Sequence, residues 1–153
     1  MRESGRVSIV GLLATIGAVI VFSLLLFSKE SPSSVGGRFM DALARGDSAK
    51  LTELTYLSGK SKDEIKKEWE FSTQTAGKYY TFLWTVVAAT QADDKTASVR
   101  LQVQRNVMSG SSYDENFQLP LVKVDDKWLV DVAAISREMY PGLPRAGLSA
   151  SKN

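Results

Sequence analysis

The sequence predicts an α+β protein: an N-terminal single transmembrane helix followed by a small domain of about three helices packed on a curved antiparallel four-stranded sheet. Three observations predict it. Val7–Phe27, VSIVGLLATIGAVIVFSLLLF, carries no charge. Between Val35 and Gly77 the apolar residues recur at helical spacing, and from Lys78 onward they recur at every second residue. The strands follow the helices with no helix between them, which points to an antiparallel meander rather than a parallel sheet.

As a helix, Val7–Phe27 would rise about 30 Å, the thickness of a bilayer's hydrocarbon. Its only polar side chains are Ser8, Thr15 and Ser23. In lipid such a segment must satisfy all its backbone groups internally, which a helix does. Arg2 and Arg6 outweigh Glu3 before the stretch, while Lys29 and Glu30 cancel after it. The expectation is therefore a single-pass anchor in the cell membrane, with residues 1–6 cytoplasmic and the domain extracytoplasmic, periplasmic or extracellular. A cleaved secretory signal is the competing reading. Against it, the stretch exceeds the usual apolar region of about 7–15 residues, and no A-x-A site follows Phe27. Gly11, Ala14, Thr15 and Ala18 fall on one helical face and form a candidate transmembrane packing surface.

Residues 28–37, SKESPSSVGG, read as a hinge, within which Ser31-Pro32 could cap and open a helix. The domain proper is expected over 38–135. Val35, Phe39 and Leu43, with Met40 beside them, mark a first helix that Gly46 closes. Asp47 or Ser48 begins a second helix through about Leu57. Ser61-Lys62-Asp63-Glu64 is a capping box ahead of a third, which turns Ile65 and Trp69 inward and ends at Gly77. Lys78–Thr90 is a strand with two apolar faces, Leu83 and Val87 on one, Phe82, Trp84 and Val86 on the other. Lys95–Met108 alternates, with Ala97, Val99, Leu101 and Val103 on its dry face. Tyr113–Val124 turns Phe117, Leu119 and Leu121 to one side, and Pro120 there predicts an edge position or a bulge. Trp128–Ile135 is a fourth strand. The tail 136–153 holds Pro141 and Pro144 and is expected to be partly disordered.

Composition narrows the chemistry. Of 19 Lys+Arg and 17 Asp+Glu, residues 1–27 hold two arginines and one glutamate, leaving 17 against 16 in the remainder. A remainder this close to neutral gives no electrostatic case for nucleic acid as a partner. Cysteine and histidine are both absent. Disulfides, thiolate chemistry, histidine-based triads and typical zinc sites are thereby excluded, and no cofactor or metal is expected.

Two stretches resemble the nuclear transport factor 2-like superfamily, the cone-shaped (cystatin-like) α+β fold shared with ketosteroid isomerase. They are Phe39–Thr55, FMDALARGDSAKLTELT, and Val122–Val132, VKVDDKWLVDV. The chain is also similar to membrane-anchored bacterial members of unknown function. The resemblance implies a pocket enclosed between helices and sheet, in which catalytic members place acids and tyrosines. Function does not follow from the fold.

On that frame the candidates for an isomerase-like site are Asp41, Tyr56 and Asp131, and no two acids clearly face one cavity. Phe39, Trp69 and Trp128 are candidate lining for an apolar ligand pocket, against the plainer reading that large aromatics fill the core. Phe82, Trp84 and Val86 are a candidate sheet interface, because three helices cover only one face. The competing cover is the tail Ser136–Leu143, with Met139 and Tyr140. The expected function is a non-catalytic interaction or accessory module, with the lipid bilayer and a protein partner or second copy as its partners. A small apolar ligand-binding protein, or a subunit similar to the bitopic inner-membrane component of type IV secretion systems, is the alternative.

Overall fold

A computed structural model of the protein describes residues 30–75 and 80–146. The anchor expected over Val7–Phe27, its packing face Gly11, Ala14, Thr15 and Ala18, and the helix stop at Gly77 lie outside the described residues. Among the described residues no helix is long and apolar enough to cross a membrane.

Helix α1 spans Pro32–Arg45, α2 Ser48–Leu54 and α3 Lys62–Thr75. Strand β1 is Thr55–Tyr56, β2 Phe82–Gln91, β3 Thr96–Arg105, β4 Tyr113–Val124 and β5 Lys127–Asp131. The sheet order is β1-β5-β4-β3-β2, with β1 parallel to β5 and the other pairs antiparallel. The protein is therefore α+β, with three helices over a mixed five-stranded sheet among the described residues.

The local signals act where the sequence places them. The Ser31 hydroxyl accepts from the Ser34 N–H (3.2 Å), and Pro32 occupies the first turn, so α1 takes in most of the expected hinge. Gly46 is left-handed (φ 69°), and the Asp47 N–H returns to Ala42 O at 2.9 Å, a Schellman closure. Asp47 Oδ1 caps α2 through the Lys50 N–H (2.9 Å). The Ser61–Glu64 box is closed both ways: the Ser61 N–H donates to Glu64 Oε2 (2.7 Å) and the Glu64 N–H to Ser61 Oγ (3.3 Å).

Four expectations are corrected. The four-stranded antiparallel sheet has a fifth, parallel strand, because α2 ends at Leu54 and the β-branched Thr55 turns extended (φ −93°, ψ 132°) beside Val130. The long excursion between β1 and β5 supplies the crossover a parallel pair needs. β5 stops at Asp131, and Val132–Ala134 form a 3₁₀ turn. Pro120 lies in an internal strand with unbroken register. The Lys123 N–H donates to Lys95 O (2.8 Å), making Thr96–Val122 a non-hydrogen-bonded pair. By alternation Ser98–Pro120 is another, so the proline nitrogen faces away from β3 and toward β5, just past the last β4–β5 pair, Leu121–Val130. Finally, Phe82, Trp84 and Val86 pack against the core rather than facing outward, while Leu83 and Val87 are 56% and 46% exposed.

The core lies between the helices and the concave face of the sheet. Val35, Phe39, Met40 and Leu43 of α1 meet Val99, Leu101 and Val103 of β3 and Phe117, Leu119 and Leu121 of β4, all buried. The described part of the tail belongs to this core: Met139, Tyr140 and Leu143 are buried, and Tyr140 packs against Tyr80 and Phe82 (centroids 5.7 and 6.5 Å). The tail thus forms a strap over the Phe82 end of β2, part of the alternative cover weighed above.

Helix and sheet approach closely at Gly36. A Cβ there would meet the Val99 side chain at 3.2 Å, whereas at Gly37 the nearest atom, of Trp84, is 3.8 Å away. The two glycines should respond oppositely to substitution. Gly36→Val is expected to lower unfolding free energy by about 1–3 kcal/mol through overpacking. Gly37→Ala should raise it by about 0.5–1 kcal/mol through helix propensity. Denaturant titration of both variants checks the pair.

The Ser61 backbone and hydroxyl bonds hold the Glu64 carboxyl below the usual glutamate range. A folded-state value below the unfolded one gives stability that is present above the unfolded value and lost as pH falls through the folded one. The melting-temperature gap between the wild type and Glu64→Ala should therefore be widest near neutrality and close as pH falls through about 4 and below. Thermal melts across that range read it directly.

Candidate functional site

The strap is built from two arginines. Arg105, at the last position of β3, falls on the inward side of the alternation that Val99, Leu101 and Val103 establish. Its Nη2 donates to the Glu138 and Met139 carbonyls, both at 2.7 Å, and its Nε donates to Glu115 Oε2 at 2.8 Å. The guanidinium also stands over Phe117, 5.6 Å from the ring centroid. Arg137 closes the strap on itself through Leu143 O (2.9 Å) and Pro141 O (3.3 Å). Ser72 of α3 donates to Gly142 O, and the Arg145 N–H reaches Glu68 Oε2 at 3.3 Å. Between these anchors Tyr140 is 1% exposed. Burial pushes its phenol above the usual tyrosine range, opposed in part by the neighbouring Ser72 hydroxyl.

Where the strap meets the sheet, a cleft of about 340 Å³ opens at the rim of the concave face. Its lining comes from Tyr80 and Thr81 before β2, Arg105 and Asn106 at the end of β3, Tyr113 and Glu115 of β4, and Glu138 of the strap. Arg105 and Tyr113 are register partners. Four exposed apolar side chains gather at this end: Tyr80, Val107, Met108 at 91% and Tyr113 at 50%. Sequence reading passed over this cleft. Its signal was Arg105, a charged residue at the inward position of an otherwise apolar alternation.

The residues singled out in the sequence are dispersed. Phe39 and Trp69 meet edge to face in the core (5.9 Å, 70°), both fully buried. Trp69 Nε1 donates to Thr55 Oγ1 (2.9 Å), which in turn donates to Leu51 O (2.7 Å), so the indole is satisfied internally. Trp128 sits on β5 beneath Lys123 (Nζ 5.4 Å from the ring centroid) and lines a separate surface cleft of about 440 Å³ with Glu30, Arg38, Lys62 and Lys127. In that cleft Glu30 pairs with Arg38. Lys62 donates to the Thr52 and Thr55 carbonyls (2.9 and 3.3 Å), and burial holds its ammonium below the usual lysine range. Asp41 is exposed and paired with Arg45 at 3.0 Å. Tyr56 and Asp131 are register partners in the parallel β1–β5 pair, both half-buried. They alternate with the inward Thr55 and Val130 and so lie on the outer side of the sheet. Among the described residues no cluster of three or more acidic side chains is placed to hold a metal ion.

No family model matches the chain, and no curated protein matches it. Among solved structures it is similar to an NTF-2 like protein of unknown function from Shewanella oneidensis MR-1. The identity is 16% and the TM-score 0.44, over 63% of this chain and 88% of that one. It is similar to a ketosteroid isomerase-like protein from Erwinia carotovora atroseptica SCRI1043, at 17% identity and TM-score 0.45, over 63% and 85%. It is also similar to a domain of unknown function with a cystatin-like fold from Nostoc punctiforme PCC 73102, at 14% identity and TM-score 0.47, over 64% and 69%. At these values the likenesses say nothing of activity, ligand or assembly.

Proposed function

We propose that the chain is a non-catalytic interaction module held on the extracytoplasmic side of a membrane by Val7–Phe27, working as a subunit of a membrane complex or with a second copy of itself. The observation that carries this reading is the filling of the concave face. An enzyme on a cone-shaped fold needs room for substrate beside a positioned acid or base. Here Phe39, Trp69 and Tyr140 occupy the interior, Asp41 is solvated, and Asp131 lies on the outer side of the sheet.

The tether fits the geometry of the domain. Glu30 stands three residues after Phe27, so it can lie no more than about 11 Å from the end of the uncharged stretch. It lines the same cleft as Lys127 and Trp128, at the β4–β5 turn. The cleft at the strap lies at the opposite end of β3, a ten-residue strand about 30 Å long. A domain held at Glu30 presents that second cleft away from the bilayer.

Expression of the full chain in a bacterial host tests the reading. The expected result is a full-length protein that stays in the membrane pellet through alkaline carbonate extraction, with domain lysines labelled by an impermeant reagent added outside. Recovery in the soluble fraction with an amino terminus beyond Phe27 would contradict it.

A further inference from the structure

We propose that the cleft between the strap and the β3–β4 hairpin is the partner-binding site, and that it takes the lysine or arginine side chain of a partner polypeptide with apolar residues beside it. The inference rests on the interaction reading above and names the chemistry of the partner.

Charge is the first ground. Three charged side chains line the cleft. Arg105 spends its Nε on Glu115 and its Nη2 on two strap carbonyls, so its charge is compensated and those donors are engaged. Glu138 has no ion-pair partner among the described residues, although its own carbonyl is held by Arg105. The cleft therefore offers one carboxylate in excess. An anionic ligand would meet the Glu138 carboxylate with no cation left over to offset it, whereas a cation is drawn to Glu138 as it stands.

The second ground is the aromatic wall. Tyr80 and Tyr113 are large exposed rings in this lining, and neither side chain has a hydrogen-bond partner among the described residues. Ring faces attract an ammonium or guanidinium within about 6 Å of the centroid, and a carboxylate beside them adds a charge-assisted acceptor. The third ground is the rim. Val107 and Met108 stand exposed on the hairpin next to the cleft, and methionine is suited to apolar contact of variable shape. A free amine would leave both in water, while a polypeptide with an apolar residue beside its basic one would cover them.

Nuclear magnetic resonance titration of the full chain in nanodiscs tests this, with butylammonium, butanol and the peptide acetyl-Leu-Lys-Leu-amide as probes. Butylammonium and the peptide should shift the amides of Tyr80, Tyr113 and Glu138, the peptide should bind at least tenfold tighter, and butanol should leave these amides unmoved. Glu138→Gln should weaken the peptide at least tenfold. Tyr113→Ala should do the same and Tyr113→Phe should not, because the ring face is the contact. Both side chains are exposed, so the fold is not at stake. Equal shifts from butanol and butylammonium, an unaffected Glu138→Gln, or a peptide no tighter than butylammonium would each overturn the proposal. The outcome is separable from the tether: a chain that stays in the membrane pellet yet fails this titration loses the cleft as its binding site and keeps its anchor.

Discussion

A curved sheet has one concave face, and every apolar side chain on it must be covered by something. In this protein helix α1 lies across the sheet, over β2 as well as β3, β4 and β5, with Gly37 beside Trp84 of β2. At the start of β2, Phe82 points inward from an edge strand. The strap covers that end by laying Tyr140 against Tyr80 and Phe82. A buried phenol of this size contributes a large share of the apolar contact at its site. It stays there because Arg105 and Ser72 grip the strap backbone from the sheet and from α3. The backbone carbonyls that a non-helical segment would otherwise bury without partners are thereby satisfied.

Much of this architecture is legible in the sequence because the signals are local. The capping box at Ser61–Glu64, the glycine stop at Gly46 and the alternation of β3 depend on residues within one or two turns of each other. The errors have the opposite character. Thr55–Tyr56 becomes a strand only because Val130 and Asp131, far away in sequence, lie beside it. Nothing in LTELTYL marks that partner. Pro120 is tolerated inside the sheet because the pairing of β4 with β5 stops at Leu121–Val130, again a fact about another strand. The tail looks irregular by period, and by period it is; its order comes from side chains of β3 and α3 that grip its backbone.

The candidate site follows the same rule. The aromatics that stand out in the sequence, Phe39 and Trp69, are core residues whose polar atoms and ring edges are satisfied inside. Prominence in composition tracked packing. The residues that gather at an accessible cleft are a tyrosine before β2, an arginine and a tyrosine on neighbouring strands, and a glutamate on the strap. No sequence window contains them, since the site exists only once the strap is seated. Only Arg105 was individually visible, as a charge where the pattern asks for an apolar residue.

The strap is thus the element on which both the closed interior and the open cleft depend. Native-state hydrogen exchange of Tyr140→Ala against the wild type tests that dependence most directly. Removing a buried aromatic costs about 3–5 kcal/mol where the site cannot collapse. If the strap seals the concave face, the β2 amides paired with β3 and the last turn of α3 lose protection in the variant, while β4 and α1 keep theirs. Unchanged protection across β2 in Tyr140→Ala would contradict it, and would mean that the helices alone suffice to close the core.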